Sequence, residues 1–524
     1  MTMTQNLKRT TFSVLAIVSI LLFSSCTKDG ITTILNVPGN VPPPGPPPVL
    51  PVRPNQVFYG ISSSNQLLKF NAQTSETADA TFAVTGLQTS ETILAIDFRP
   101  ATGELYGLGS TSRLYVINII TGAARAVGTS QFSPLLTGTS AAFDFNPTVD
   151  RIRVVGNDGQ NFRLNPETGG LAATDGTING ATGASITSAA YTNNTAGVTS
   201  TTLYDIDAVT KKLYKQIPPN NGTLVAVGDL GVAATAAGGF DISPDGTVAL
   251  ATLTVAGENG LYRIDTLTGK ATRLGAFGSA GATLTGIAIP TAPVAYGVDL
   301  SNNLVIFNPA TPLTPINKAI TGTAAGENIL GIDMRPLNGQ LYALGSSSRL
   351  YTINLSSGVA TAVGAAGAFT LAGTNFGFDF NPTVDRIRVV SNTGQNLRLN
   401  PIDGSLSATD LPLNPGTPDA TAAAYTNNFA GATTTVLHVI DATQDRLYVQ
   451  NPPNNGVLVS TGPLGINITG VNGFDISAVS GTALGIFTVG TANALYSVNL
   501  STGTATKVYD VPQSLRGFAI GLGF

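Results

Sequence analysis

FDFNPTVDRIRVV fills Phe143–Val155 and recurs unchanged at Phe378–Val390. The flanking text repeats too: GELYGLGSTSRLY (Gly103–Tyr115) matches GQLYALGSSSRLY (Gly339–Tyr351), and AAYTNN stands at Ala189–Asn194 and Ala423–Asn428. The separation stays near 235 residues throughout, so the chain carries a duplicated domain. Within DRIRVV, Arg151, Arg153 and Val155 share one face and Ile152 and Val154 the other, the period-2 alternation of a strand.

Each half contains a smaller unit. LYVINIITGAARAVG (Leu114–Gly128), LYRIDTLTGKATRLG (Leu261–Gly275), LYTINLSSGVATAVG (Leu350–Gly364) and LYSVNLSTGTATKVY (Leu495–Tyr509) read as strand, glycine turn, strand. Each is preceded by another hairpin, as in AIDFRPATGELYGLG (Ala95–Gly109) and FDISPDGTVALATLT (Phe240–Thr254). Four antiparallel strands in about 47 residues is the signature of a propeller blade. Five units fit one half. The expected architecture is an all-β protein of two tandem five-bladed β-propellers with four-stranded antiparallel blades, residues 55–291 and 292–524; a single ten-bladed ring is the alternative. The folded part opens at Val57 on a second-strand pattern and closes on RGFAIGLGF (Arg516–Phe524), a first-strand pattern. The C-terminal strand is therefore expected to complete the N-terminal blade in one large ring, and Gly286–Pro290 to close the first of two rings.

The first 54 residues serve another purpose. Lys8 and Arg9 precede an apolar stretch, Phe12–Phe23, too short to span a bilayer as a helix, and Ser24, Ser25 and the only cysteine, Cys26, follow. This resembles the bacterial lipoprotein signal, which implies a signal peptide at 1–25 and lipidation of Cys26, although that signal usually has Leu where Phe23 stands. The implied address is the cell envelope, extracytoplasmic and lipid-anchored, with the outer membrane favoured. Residues 26–54 form a proline-rich tether, with VPGNVPPPGPPPVLPVRPNQ (Val37–Gln56) reaching roughly 50–60 Å as extended polyproline.

Composition narrows the function. Charged residues are 11% of the 524 and the formal net charge is −4, with no basic block, so a nucleic-acid partner is not expected. His438 is the only histidine and its counterpart in the first half is Tyr204, which excludes a Ser-His-Asp triad or a His-based metal site there. No catalytic residue is assigned.

Two constellations remain. Asp97, Asp144 and Asp241, with Asp333, Asp379 and Asp475, sit in an apolar–Asp–apolar pattern on first strands, the strands that line a propeller channel. They read either as a carboxylate ring for a divalent cation such as Ca²⁺ or, with greater weight, as turn-fixing acceptors of backbone N–H groups. No cofactor is required. Arg151, Arg153, Asn161 and Arg163, with Arg386, Arg388, Asn396 and Arg398, read either as a groove for an acidic or hydroxyl-rich ligand or as a ladder between blades. PPNNG (Pro218–Gly222, Pro452–Gly456) reads as a rim loop.

At GFDFNPTVDRIRVVSNTGQNLRLNP (Gly377–Pro401), AAYTNN and NPPNNG (Asn451–Gly456) the chain resembles a bacterial family known as domain of unknown function 4394, over about 55–291 and again 292–524. The resemblance implies an extracytoplasmic repeat domain and supplies no catalytic residue. The expected role is binding of a protein, a glycan or a small ligand. The alternative is a hydrolase or lyase acting on a polymer through channel carboxylates.

Overall fold

The computed structural model describes residues 52–277, 283–311, 314–470 and 472–524. The signal peptide, Cys26 and nearly all of the tether lie outside the described residues. Val, Ile, Thr and Tyr in alternation, cut every few residues by Gly, Asn or Pro, leave the described residues no run long enough for a helix. Among the described residues there are forty strands, three single 3₁₀ turns and no α-helix. Among these residues no helix is long and apolar enough to cross a membrane.

The strands assemble into ten four-stranded antiparallel sheets, five per half. Eight run in simple sequence order, for example Ile93–Phe98, Leu105–Gly109, Arg113–Ile117 and Ala124–Val127. The other two borrow a strand. Val57–Ser62 pairs with Leu284–Ala288, and Ala295–Asp299 pairs with the C-terminal Leu515–Ile520. This corrects the expectation that the C-terminal strand joins the N-terminal sheet. TGIAIP and RGFAIG carry the same pattern, so each sheet takes the copy from its own half, and the shorter loop is the less costly closure.

The first strands of the five sheets lie side by side in each half. In the first half the order is Ile93–Phe98, Ala141–Asn146, Ile186–Tyr191, Ala234–Ile242 and Leu284–Ala288, and the last lies against the first. The second half repeats this with Ile329–Arg335, Phe376–Asn381, Ala420–Tyr425, Gly473–Ile476 and Leu515–Ile520. Close approach requires small residues. Two positions before each of the six aspartates, or the residue in register with them on the other first strands, stand Ala95, Ala142, Ser188, Gly239 and Gly286, then Gly331, Gly377, Ala422, Gly473 and Gly517. A Cβ on Gly239 would lie 2.4 Å from the Ile287 nitrogen, and one on Gly517 would lie 2.8 Å from the Ile332 nitrogen. The larger apolar side chains of each sheet pack against the next, as where Phe143, Phe145, Ile152 and Val154 meet Tyr106 and Leu108.

Pro51–Phe524 is one compact unit. Tyr296 donates to the Ala101 carbonyl at 2.8 Å, Gln340 to Glu167 at 3.0 Å, and the Gly523 N–H to the Thr102 carbonyl at 2.8 Å. Ala101 and Ala196 share an apolar cluster with Tyr296, Ile332 and Leu522. The first-half side of this junction is built by turns at one end of the sheets: Ala101, Thr102 and Ala196 follow first strands, and Glu167 follows the third strand Asn161–Leu164.

Candidate functional site

The six aspartates come together as two triads. In each, one carboxylate oxygen per residue lies within 4.8 Å of the other two. All six are about 1% exposed. Strand pairing fixes their position: Asp97 faces Tyr106, Asp144 faces Arg153 and Asp241 faces Leu250 on the second strands. The two remaining first strands place Ala190 and Ala288 there, facing Tyr204 and Tyr59.

The hydrogen bonds explain why three acids serve five strands. The residue after each of these five positions points its N–H inward. Asp97 accepts from Phe98 and Phe145, Asp144 from Tyr191, and Asp241 from Ile242 and Ile289, at 2.5–2.9 Å. Each of the five N–H groups thus meets one carboxylate oxygen, and the sixth oxygen, Asp144 Oδ2, is buried without a partner. An Asp takes its own strand's N–H only where the preceding strand offers Ala. The second half repeats the pattern: Asp333 accepts from Met334 and Phe380, Asp379 from Tyr425, and Asp475 from Ile476 and Ile520. The expected turn-fixing role is therefore replaced by a stitch from one sheet to its neighbour.

Burial and like charge act together on these carboxyls. Desolvation, reinforced by the neighbouring Asp, raises Asp97, Asp144, Asp333 and Asp379 well above the usual carboxylate range. Desolvation raises Asp241 and Asp475 to about 7. As a cation site the triad is close-packed, but five of the six oxygens of the first already accept an N–H, whereas Ca²⁺ takes six to eight oxygen ligands. The donor set suits protons and backbone amides.

The arginine constellation is also turned inward. Arg153 is 1% exposed and donates to Asn161 at 2.7 Å, Asp175 at 2.5 Å and Asn220 at 2.7 Å. Arg163 grips the same Asp175 with two bonds, at 2.8 and 2.9 Å, and Asn161 donates to the Gly176 and Pro219 carbonyls. Arg388, Asn396, Arg398, Asp410 and Asn454 repeat every contact except that Leu411 and Pro453 supply the carbonyls. Arg151 and Arg386 stand apart, each donating to the carbonyl of the residue before it. PPNNG is more than a rim loop: its Asn220 and Asn454 clamp one sheet to the arginine of the sheet before.

Arg388→Ala leaves Asn396 and Asn454 each short of a buried donor. It is expected to cost about 3–5 kcal/mol in denaturant unfolding, against about 1 kcal/mol for the more exposed Arg398→Ala. Equal losses would show that the buried member does not organise the network.

Three features were passed over in the sequence. Arg99 is fully buried, makes a two-bond pair with Asp150, and donates across the junction to the Gly339 carbonyl. Glu91 accepts from Thr111 and Tyr115, as Glu327 does from Ser347 and Tyr351. Their recurrence in both halves was the available signal. Asp205 is different: it is fully buried, neither oxygen has a hydrogen bond, and desolvation raises it to about 8.

Ten four-stranded sheets in two homologous sets, stitched by buried carboxylates, define a duplicated all-β repeat protein. The chain belongs to the family described as domain of unknown function (DUF4394), which matches residues 66–288 and again 303–519. No curated protein matches the sequence. Among solved structures it is similar to PorZ, an essential bacterial surface component of the type-IX secretion system of Porphyromonas gingivalis. That match has 13% identity and a TM-score of 0.27, over 88% of this chain and 60% of PorZ. It is also similar to the extracellular domain of the B. thetaiotaomicron system BT4673, at 12% identity and a TM-score of 0.24, over 88% of this chain and 66% of the other. The chain spans about three fifths of PorZ, and likeness at these scores carries no information about role.

Proposed function

We propose that this chain is a lipid-anchored protein of the bacterial cell envelope, exposed on the extracytoplasmic side, that presents two five-bladed β-propellers, residues 55–291 and 292–524, as a binding surface. The return of each fifth first strand to the first of its own half supports two rings over one of ten blades. The observation that carries a binding role over a catalytic one is the burial of the six channel aspartates. At about 1% exposure, with five oxygens of the first triad bonded to N–H groups, they have no access to a polymer. Recognition is then left to the outer faces of the propellers, for a protein, a glycan or a small ligand.

Cys26 with its proline tether supplies the address. Multiple acyl chains on one residue anchor stably, since each buried CH₂ adds about 0.8 kcal/mol. Cells producing the full chain are expected to hold it in the membrane fraction, and cells producing Cys26→Ala to release it. Equal partition of the two would remove the anchor from this account.

A further inference from the structure

The first strands of the first half converge, and at one end they leave space. Three residues before Asp97, Asp144 and Asp241, and before their counterparts Ala190 and Ala288, stand Leu94, Ala141, Thr187, Gly238 and Thr285. All five line one cavity of about 360 Å³. The turn after Leu203–Asp207 adds Ala208 and Val209, and the strand Ala234–Ile242 adds Ala236 and Ala237. Gly238 keeps part of the wall bare, because a Cβ there would sit 2.1 Å from the Leu284 carbonyl oxygen. The cavity lies at the opposite end of the first strands from Ala101, Thr102 and Ala196, which meet the second half. No described residue of the second half lines it.

The wall is uncharged, and its polar groups are turned back into the protein. None of the described lining residues is ionisable. Thr187 donates to the Ala237 carbonyl at 2.9 Å, Ser185 to the Asn157 carbonyl at 3.0 Å, Thr235 to the Thr254 carbonyl at 3.2 Å and Thr285 to the Ile61 carbonyl at 3.3 Å. The Asn259 amide is spent in the same way, donating to the Thr254 hydroxyl and accepting from the Leu284 N–H, both at 3.3 Å. A threonine whose hydroxyl is held by the backbone offers its methyl group instead. With Leu94, Ala141, Val209, Ala236 and Leu284, the threonines make a wall that is mainly apolar.

Volume and lining together select the ligand. A buried water needs roughly two to four polar partners, and an apolar cavity of about 150 Å³ stays dry and takes up benzene. The space here is more than twice as large. It falls in the range of small-molecule sites, roughly 300–1,000 Å³. A charged ligand would lose its hydration with nothing on the wall to replace it.

We propose that the mouth of the first half binds an uncharged, apolar small molecule of about two fused rings or an alkyl chain of similar bulk. This rests on the binding role proposed above and names the class of ligand.

The test uses the mature chain bearing Cys26→Ala, so that neither lipid nor detergent competes. Neutral N-phenyl-1-naphthylamine is titrated by fluorescence, and naphthalene, benzene and 1-naphthoate are added as competitors. The fluorescent probe is expected to saturate at one site per chain. Naphthalene should displace it at lower concentration than benzene does. 1-Naphthoate, the same rings with a carboxylate, should compete at least about tenfold more weakly than naphthalene. Ala141→Phe takes up volume from the wall and is expected to abolish binding. Ala236→Asp places a charge on an exposed part of the wall, where folding is little affected, and should weaken binding at least about tenfold. If Ala141→Phe does not fold, Ala236→Asp decides. Absence of saturable binding, competition by 1-naphthoate equal to that by naphthalene, or binding undiminished in the folded variants overturns the proposal. Such a failure removes this site alone: a protein or glycan on the outer faces would remain, and fractionation of Cys26→Ala reads the anchor separately.

Discussion

At pH 5 this protein is expected to melt on the order of 10 °C higher than at pH 8. Asp205, raised to about 8, and Asp241 and Asp475, raised to about 7, hold protons that the unfolded chain releases near pH 4. Asp97, Asp144, Asp333 and Asp379 move the same way, and each triad titrates as a unit. A group whose folded pKa lies above its unfolded value binds more protons when folded. Its effect on stability is therefore worst above the folded pKa and vanishes below the unfolded one, about 1.4 kcal/mol per pH unit between them.

Two opposing contributions bound the window. Burial lowers His438 to about 4, so it costs stability as pH falls from about 6.5 towards 4, but it is one group against seven. Asp175 and Asp410, lowered by their arginines against a larger desolvation, lose their contribution only below about pH 4. The optimum should lie near pH 4, where the unfolded carboxyls titrate, with stability falling on both sides. Asp205→Val should flatten the alkaline limb and raise stability at pH 8, because Val439 occupies the matching position in the second half. Melts with Ca²⁺ and with a chelator at pH 8 should superpose. A melting temperature that does not change between pH 5 and 8, or one that rises steeply with Ca²⁺, would show the triads to be ionised around a cation.

The parts of this architecture legible in the sequence are local ones. The hairpin alternation of LYVINIITGAARAVG and the exact recurrence of FDFNPTVDRIRVV locate strands and duplication, because both depend on residues near one another in the chain. The aspartates were found but their partners were not. Asp97 serves the N–H of Phe145, 48 residues away, and no local pattern distinguishes a turn acceptor from a stitch to the next sheet. Arg153 likewise reaches Asn220, 67 residues on, which is why PPNNG read as a plain loop. The close approach of the first strands was harder still. Gly239 and Gly286 read as ordinary strand glycines, and they acquire meaning only when five first strands converge on one axis.

That convergence sets the second large effect. Gly239→Ala is expected to prevent folding of the first half or to cost more than about 4 kcal/mol. The added Cβ would meet the Ile287 nitrogen at 2.4 Å and the Gly286 carbonyl carbon at 2.8 Å, backbone atoms of the adjacent first strand that cannot rotate aside. Relief requires the strands to separate. Gly286 would carry the movement onward, since its own Cβ position lies 3.0 Å from Ala95 Cα. The control is Gly246→Ala, on an exposed turn with φ of +70° and nothing within 4 Å. Only backbone strain acts there, and the cost should be about 1 kcal/mol. The two substitutions add the same methyl group, and left-handed backbone strain acts only in the control, so the excess cost of Gly239→Ala is a lower bound on the packing penalty around the axis. Comparable, small losses would mean that the first strands do not pack this closely, and the proposed two-ring architecture would lose its main physical support.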